Sequence, residues 1–170
     1  QKVEQAFELN PKLGLLGFGG ALGLGDDDIY QTPYNPLQLA RKQFFSNKRD
    51  AEAHGKRAAW PLKVACLDGF SLIGRVEFMV PAWRALERMG IIHHAYDGIL
   101  GVLAAAWGWE CWMLPIACHH AGGQTAVGSQ AYNEWAKTQH PDGDAHFWEE
   151  AHKQFYECGR DVLPLRVGGL

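Results

Sequence analysis

The chain has 170 residues, 47% of them hydrophobic and 21% charged, with a formal net charge of −3. Such a length and balance suit one domain with a core of its own and exclude a disordered chain. The slightly acidic total argues against nucleic acid as a partner. The dense basic residues Arg41, Lys42, Lys48, Arg49, Lys56 and Arg57 read as a solvated face. Four cysteines without a CxxC spacing read as reduced thiols of a cytoplasmic protein. The longest apolar run, residues 98–109, falls short of the roughly 20 residues that span a bilayer, and no segment resembles a signal peptide.

Taken in order, residues 1–9 read as a helix already under way, with Val3, Phe7 and Leu9 apolar and Asn10-Pro11 as its stop. "KLGLLGFGGALGLG" (12–25) predicts a buried strand at Leu13, Leu15, Leu16 and Phe18. Its glycines predict a tight turn or a close approach to a ligand. The turn-rich "DDDIYQTPYNP" that follows, in place of a helix, argues against a phosphate loop. Asp26-Asp27-Asp28 reads as an exposed turn rather than a metal cluster. Residues 36–47 carry helical spacing at Leu37, Leu39, Ala40 and Phe44, and residues 46–60, with His54, read as a polar loop or lid.

"LKVACLDGFSLIGR" predicts two short strands meeting at Asp68-Gly69, where the acid either caps its own turn or faces a ligand. "PAWRALERMG" predicts a helix with Pro81 near its first turn and Gly90 at its stop. Residues 95–107 predict an apolar helix, and residues 108–118 a strand with His119-His120 at its end. Two amphipathic helices near 129–138 and 144–158 and an extended tail close the chain. Strands and helices in this order make an α/β fold with a mixed sheet. Ligands of such sheets sit beyond the carboxyl ends of the strands. There Asp68, Asp97 and His119-His120 are expected to converge.

Eight histidines include the adjacent pairs His93-His94 and His119-His120. Imidazole with carboxylate oxygen suits divalent metals, but no HExxH pattern is present. On an extended segment neighbouring side chains face opposite ways, so one member of a pair points into a given site. Asp97 opens the apolar helix. A carboxylate there either caps the first turn or serves as a general base at a cleft edge. No Ser-His-Asp or Cys-His signature supports a nucleophilic mechanism.

Four segments together resemble the second half of family 2 glycosyltransferases of GT-A fold. "NPKLGLLGFGG" is similar to the helix end and strand after that family's DxD motif. "LDGFSLIGR" resembles its acceptor-side strand, "HHAYDGILGVLAAAWGWECWMLP" its catalytic helix, and "CHHAGGQT" the element that closes the site. The resemblance implies an incomplete, Rossmann-like GT-A fold spanning 1–170, with the nucleotide-binding half and the DxD motif expected upstream of Gln1. It implies inverting, metal-assisted transfer of a sugar from a nucleotide-sugar donor to an acceptor hydroxyl, with complete catalysis expected to need that other half. Asp97 matches the catalytic base. Asp68, Gly69, Tyr96, Trp109, Gly122 and Gly123 are the expected substrate-binding residues. His120, rather than His119, is the expected ligand of a Mn or Mg ion. A half-fold leaves a sheet edge that a second copy or another partner would cover. The competing functions are a non-catalytic saccharide- or partner-binding module and a His/Asp metal-dependent hydrolase.

Overall fold

In a computed structural model of the chain, the described residues are 1–24, 44–46, 58–91, 96–118, 130, 131, 134, 138 and 157–167. Helix α1 (Lys2–Leu9) stops at Asn10, as its sequence predicts. Val3, Ala6 and Phe7, at helical spacing, pack on Leu13, Leu16 and Leu114. The chain then runs through β1 (Leu13–Gly17), β2 (Gly19–Ala21) and β3 (Gly23–Leu24), with every residue of the three strands buried. A strand buried on both faces reads as a continuous apolar run, which accounts for the leucines and glycines of this stretch.

The glycine-rich stretch is thus strand rather than tight turn. A Cβ on Gly20 would collide with the Cys66 carbonyl, so the close approach is to the chain's own backbone. Next come β4 (Phe44–Ser46), β5 (Leu62–Val64), β6 (Cys66–Leu67) and β7 (Ile73–Gly74). Residues 44–46 are strand where spacing predicts helix: their backbone pairs with β2, and pairing of this kind overrides a short apolar periodicity. The remainder of the predicted 36–47 helix, Asp26 to Asp28 and most of the 46–60 loop lie outside the described residues.

Helix α2 (Val76–Arg88) begins five residues before Pro81, so the proline sits inside the helix and not in its first turn. The predicted stop is as expected. Gly90 has φ 71°, its N–H donates to Glu87 O at 3.0 Å, and Ile91 N–H donates to Leu86 O at 2.9 Å. Those bonds form a Schellman cap, in which a residue with positive φ closes the last turn. Helix α3 (Tyr96–Ala106) has Gly98 through Ala104 buried, as expected of a helix apolar on all sides. It is followed by β8 (Glu110–Met113), shorter than the 108–118 strand predicted, and late in the chain by β9 (Leu165–Arg166). Within the expected extended tail, β9 pairs antiparallel with β3. Gln130, Ala131, Glu134, Thr138, Glu157 and Cys158 are helical, each within a predicted terminal helix, and Gly159 extends the last of these by one residue.

The fold is α/β with a mixed four-stranded sheet in the order β5-β8-β1-β7. Strand β8 runs parallel to β1, and the two outer pairings are antiparallel. Along β8, Cys111 and Met113 point into the core shared with α2 and α3, and Trp112 points toward α1. The sheet therefore has α1 on one face and α2 with α3 on the other.

Candidate functional site

The Asp68-Gly69 turn and the start of α3 meet. Asp68 ends β6, where its N–H donates to Gly19 O at 2.9 Å, anchoring the turn to the end of the neighbouring strand. Its own Oδ1 accepts from the Phe70 N–H at 3.4 Å, and its carbonyl accepts from the Ser71 N–H at 3.3 Å. This is an Asx-type turn, the first of the two roles the sequence offers for this acid. The Ser71 hydroxyl accepts from the Phe18 N–H at 2.8 Å and holds the far side of the turn against β1.

Asp97 lies in the first turn of α3. Its Oδ1 accepts from the following Gly98 N–H at 2.8 Å, and its Oδ2 accepts from the Gly69 N–H at 3.3 Å. Two backbone amide donors, one on each oxygen, thus fix the direction of the carboxylate. Beside it, the Tyr96 hydroxyl donates to Gly69 O at 3.2 Å. Both amide groups of the turn thus bond to consecutive residues of α3. Asp68, Gly69, Tyr96 and Asp97 are all partly exposed, so this corner opens to solvent.

The position at 69 demands glycine for steric reasons. A Cβ there would collide with the Tyr96 hydroxyl and stand 2.8 Å from the ring carbon that bears it. One further residue belongs to this corner and escapes the sequence reading. Trp83 sets its ring edge-on to Tyr96, with centroids 6.2 Å apart and planes at 64°. A reading that starts α2 at Pro81 leaves only two residues before Trp83 and cannot say which face it occupies.

Trp109 is not brought to this corner. It follows the far end of α3, an eleven-residue helix about 15 Å long. There its ring packs near Phe78, with centroids 6.2 Å apart, and against the Cα of Gly14. It also lines a cavity of about 500 Å³ together with Lys12, Lys63 and Glu110. His120, Gly122 and Gly123, with the His93-His94 pair, lie outside the described residues. Among the described residues no group of three or more His, Cys, Asp or Glu side chains is placed to hold a metal ion. All four cysteines are free thiols, as expected, and burial beside Cys66 pushes the Cys111 thiol well up. No helix among the described residues is long and apolar enough to cross a membrane.

Comparison of the chain with protein-family models, with curated proteins and with solved structures finds no match.

Proposed function

We propose that the chain is the acceptor-side part of an inverting sugar transferase resembling the family 2 glycosyltransferases of GT-A fold, with Asp97 as its general base. The observation that carries this reading is the hydrogen bond between Gly69 and Asp97. It joins the two segments whose sequences resemble the acceptor strand and the catalytic helix, 28 residues apart in the chain. The mixed sheet with helices on both faces is compatible with it.

In this reading an acceptor hydroxyl donates to Asp97. As its oxygen bonds to the anomeric carbon, the bond from that carbon to the nucleoside diphosphate breaks, and the hydroxyl proton passes to the carboxylate. The two backbone donors aim the carboxylate before substrate arrives, and orientation of that kind lowers the barrier. Tyr96 and Gly69 hold the geometry from the other side of the turn. The metal implied by the resemblance would be held by His120.

The test is Asp97→Asn in the protein supplied with its donor-binding half, assayed for sugar transfer from nucleotide sugars with Mn²⁺. Turnover should fall by about 10²–10⁴ while the fold is retained. Normal turnover in that variant would remove Asp97 from the role of base. Saccharide binding with no dependence on a nucleotide sugar would instead favour the binding-module alternative.

A further inference from the structure

Helix α2 buries Phe78, Ala82, Ala85 and Leu86 in the core. Trp83 lies off that face and is 38% exposed, with Val80 beside it at 43%. A tryptophan has the largest apolar surface of any side chain, and core packing does not account for one left this open. Its ring meets that of Tyr96, which bonds through its hydroxyl to Gly69, whose N–H in turn bonds to Asp97. An open aromatic surface is therefore linked through Tyr96 and Gly69 to the corner that carries two partly exposed carboxylates, Asp68 and Asp97.

We infer that Trp83 is a stacking platform for a pyranose ring beside the Asp97 corner, the subsite that seats a saccharide acceptor. A pyranose has an apolar face of C–H groups and a rim of hydroxyls. The flat indole complements the face. The carboxylates of Asp68 and Asp97 accept from the rim, as charge-assisted hydrogen bonds of O–H to O⁻. The indole edge against Tyr96 fixes the ring plane relative to the turn that carries Asp97. As an acceptor subsite this inference rests on the transferase reading; as a saccharide site it stands on the geometry alone.

The test uses the full chain labelled with ¹⁵N, following the seven indole N–H signals, with that of Trp83 assigned by its loss in Trp83→Phe. The probes are the methyl pyranosides of glucose, galactose, mannose and N-acetylglucosamine, with the open-chain polyol mannitol as control. At least one pyranoside should give a saturable shift of the Trp83 signal at millimolar concentration, and mannitol none. Trp83→Ala should abolish the binding seen at the neighbouring backbone signals, and Trp83→Tyr should retain part of it. With the donor half supplied, Trp83→Ala should raise the acceptor KM about tenfold with kcat little changed, the size expected for loss of one aromatic contact.

The inference is overturned if no pyranoside moves the Trp83 signal, or if Trp83→Ala binds as the unmodified chain does. Binding at Trp83 without any transfer from a nucleotide sugar would defeat the transferase reading and leave the saccharide site standing. Transfer with an unchanged acceptor KM in Trp83→Ala would do the reverse.

Discussion

The Gly69 amide donates to the Asp97 carboxylate across 3.3 Å and so ties a turn between strands to the first turn of α3. The same glycine accepts from the Tyr96 hydroxyl through its carbonyl. The fit is close because Gly69 has no side chain: the tyrosine oxygen occupies the direction in which a Cβ would project. Whatever moves Tyr96 therefore moves the orientation of Asp97.

Gly69→Ala should destabilise the fold by about 1–3 kcal/mol, the usual cost of an extra carbon forced into a packed site. Tyr96→Phe removes the colliding oxygen but leaves the ring carbon 2.8 Å from the new Cβ, so relief is partial. The double variant should be less destabilised than the sum of the two singles, with a coupling of at least about 0.5 kcal/mol. Urea denaturation of the four proteins measures it. Additive effects would show that the two residues do not share the contact.

Asp97→Asn separates folding from chemistry. An amide side chain has one acceptor oxygen and a donating NH₂, so either the Gly69 or the Gly98 N–H loses its partner. The expected cost is about 1 kcal/mol in thermal or chemical denaturation. A stability loss of that size leaves the chain folded at room temperature, and the predicted loss of turnover is then a loss of the base.

Arg75 closes the segment that resembles the acceptor-side strand, yet its side chain faces away from the Asp97 corner. It donates to the carbonyls of Leu13 at 2.9 Å, of Asn10 at 3.2 Å and of Phe7, with the Phe7 ring 5.4 Å from the guanidinium carbon. Phe7 is in the last turn of α1, and Asn10 and Leu13 flank the entry to β1, so the planar fork ties the helix end to the strand start. Arg75→Lys should therefore fail to substitute and cost about 1–3 kcal/mol. Hydrogen exchange should show the amides of α1 losing protection before those of α3. Equal loss in both helices would mean that Arg75 does not act as a local clamp.

The elements that were legible in the chain are those whose signal is local. The Asn10 stop, the Gly90 cap and the apolar run of α3 each depend on a few adjacent residues, and each is where its chemistry predicts. Partnering across the sheet was not legible. Residues 44–46 become strand because β2 offers its edge, and residues 165–166 because β3 does. No periodicity in either segment announces a partner about 25 or about 140 residues away. The meeting of Asp68-Gly69 with Asp97 was expected from the ends of elements. The membership of Trp83 was not, because a proline at the sixth position of α2 hides where that helix begins. The family resemblance made Trp109 a site aromatic, and packing against Phe78 and Gly14 puts it at the opposite end of α3.

Glu110 supplies a test that depends on pH. Its Oε1 accepts from Lys63 Nζ at 2.8 Å, and its Oε2 accepts from Asn10 Nδ2 and Trp112 Nε1, each at 2.8 Å. The Lys63 hydrogen bond, with smaller contributions from Asn10 and Trp112 and against a penalty from burial, holds the carboxyl down at about 2 from its ordinary 4.5. A carboxylate whose pKa is depressed in the fold stabilises it fully above the unfolded value and loses that contribution as pH falls through the folded one. The stability difference between the unmodified chain and Glu110→Gln should thus be constant above about pH 5, shrink between 4.5 and 2, and vanish below. Because Glu110 keeps some contact with solvent, the plateau should be about 1–2 kcal/mol rather than the full value of the shift. Lys63→Met removes the largest cause, so in that background the plateau should be smaller and the decline, starting from the same unfolded-state value, should end at higher pH. Denaturation curves of the four proteins across this range measure the difference directly, since the other carboxylates cancel in it. A difference that stays constant down to pH 2 would mean that Glu110 is not the acid that the Asn10, Lys63 and Trp112 donors hold ionised.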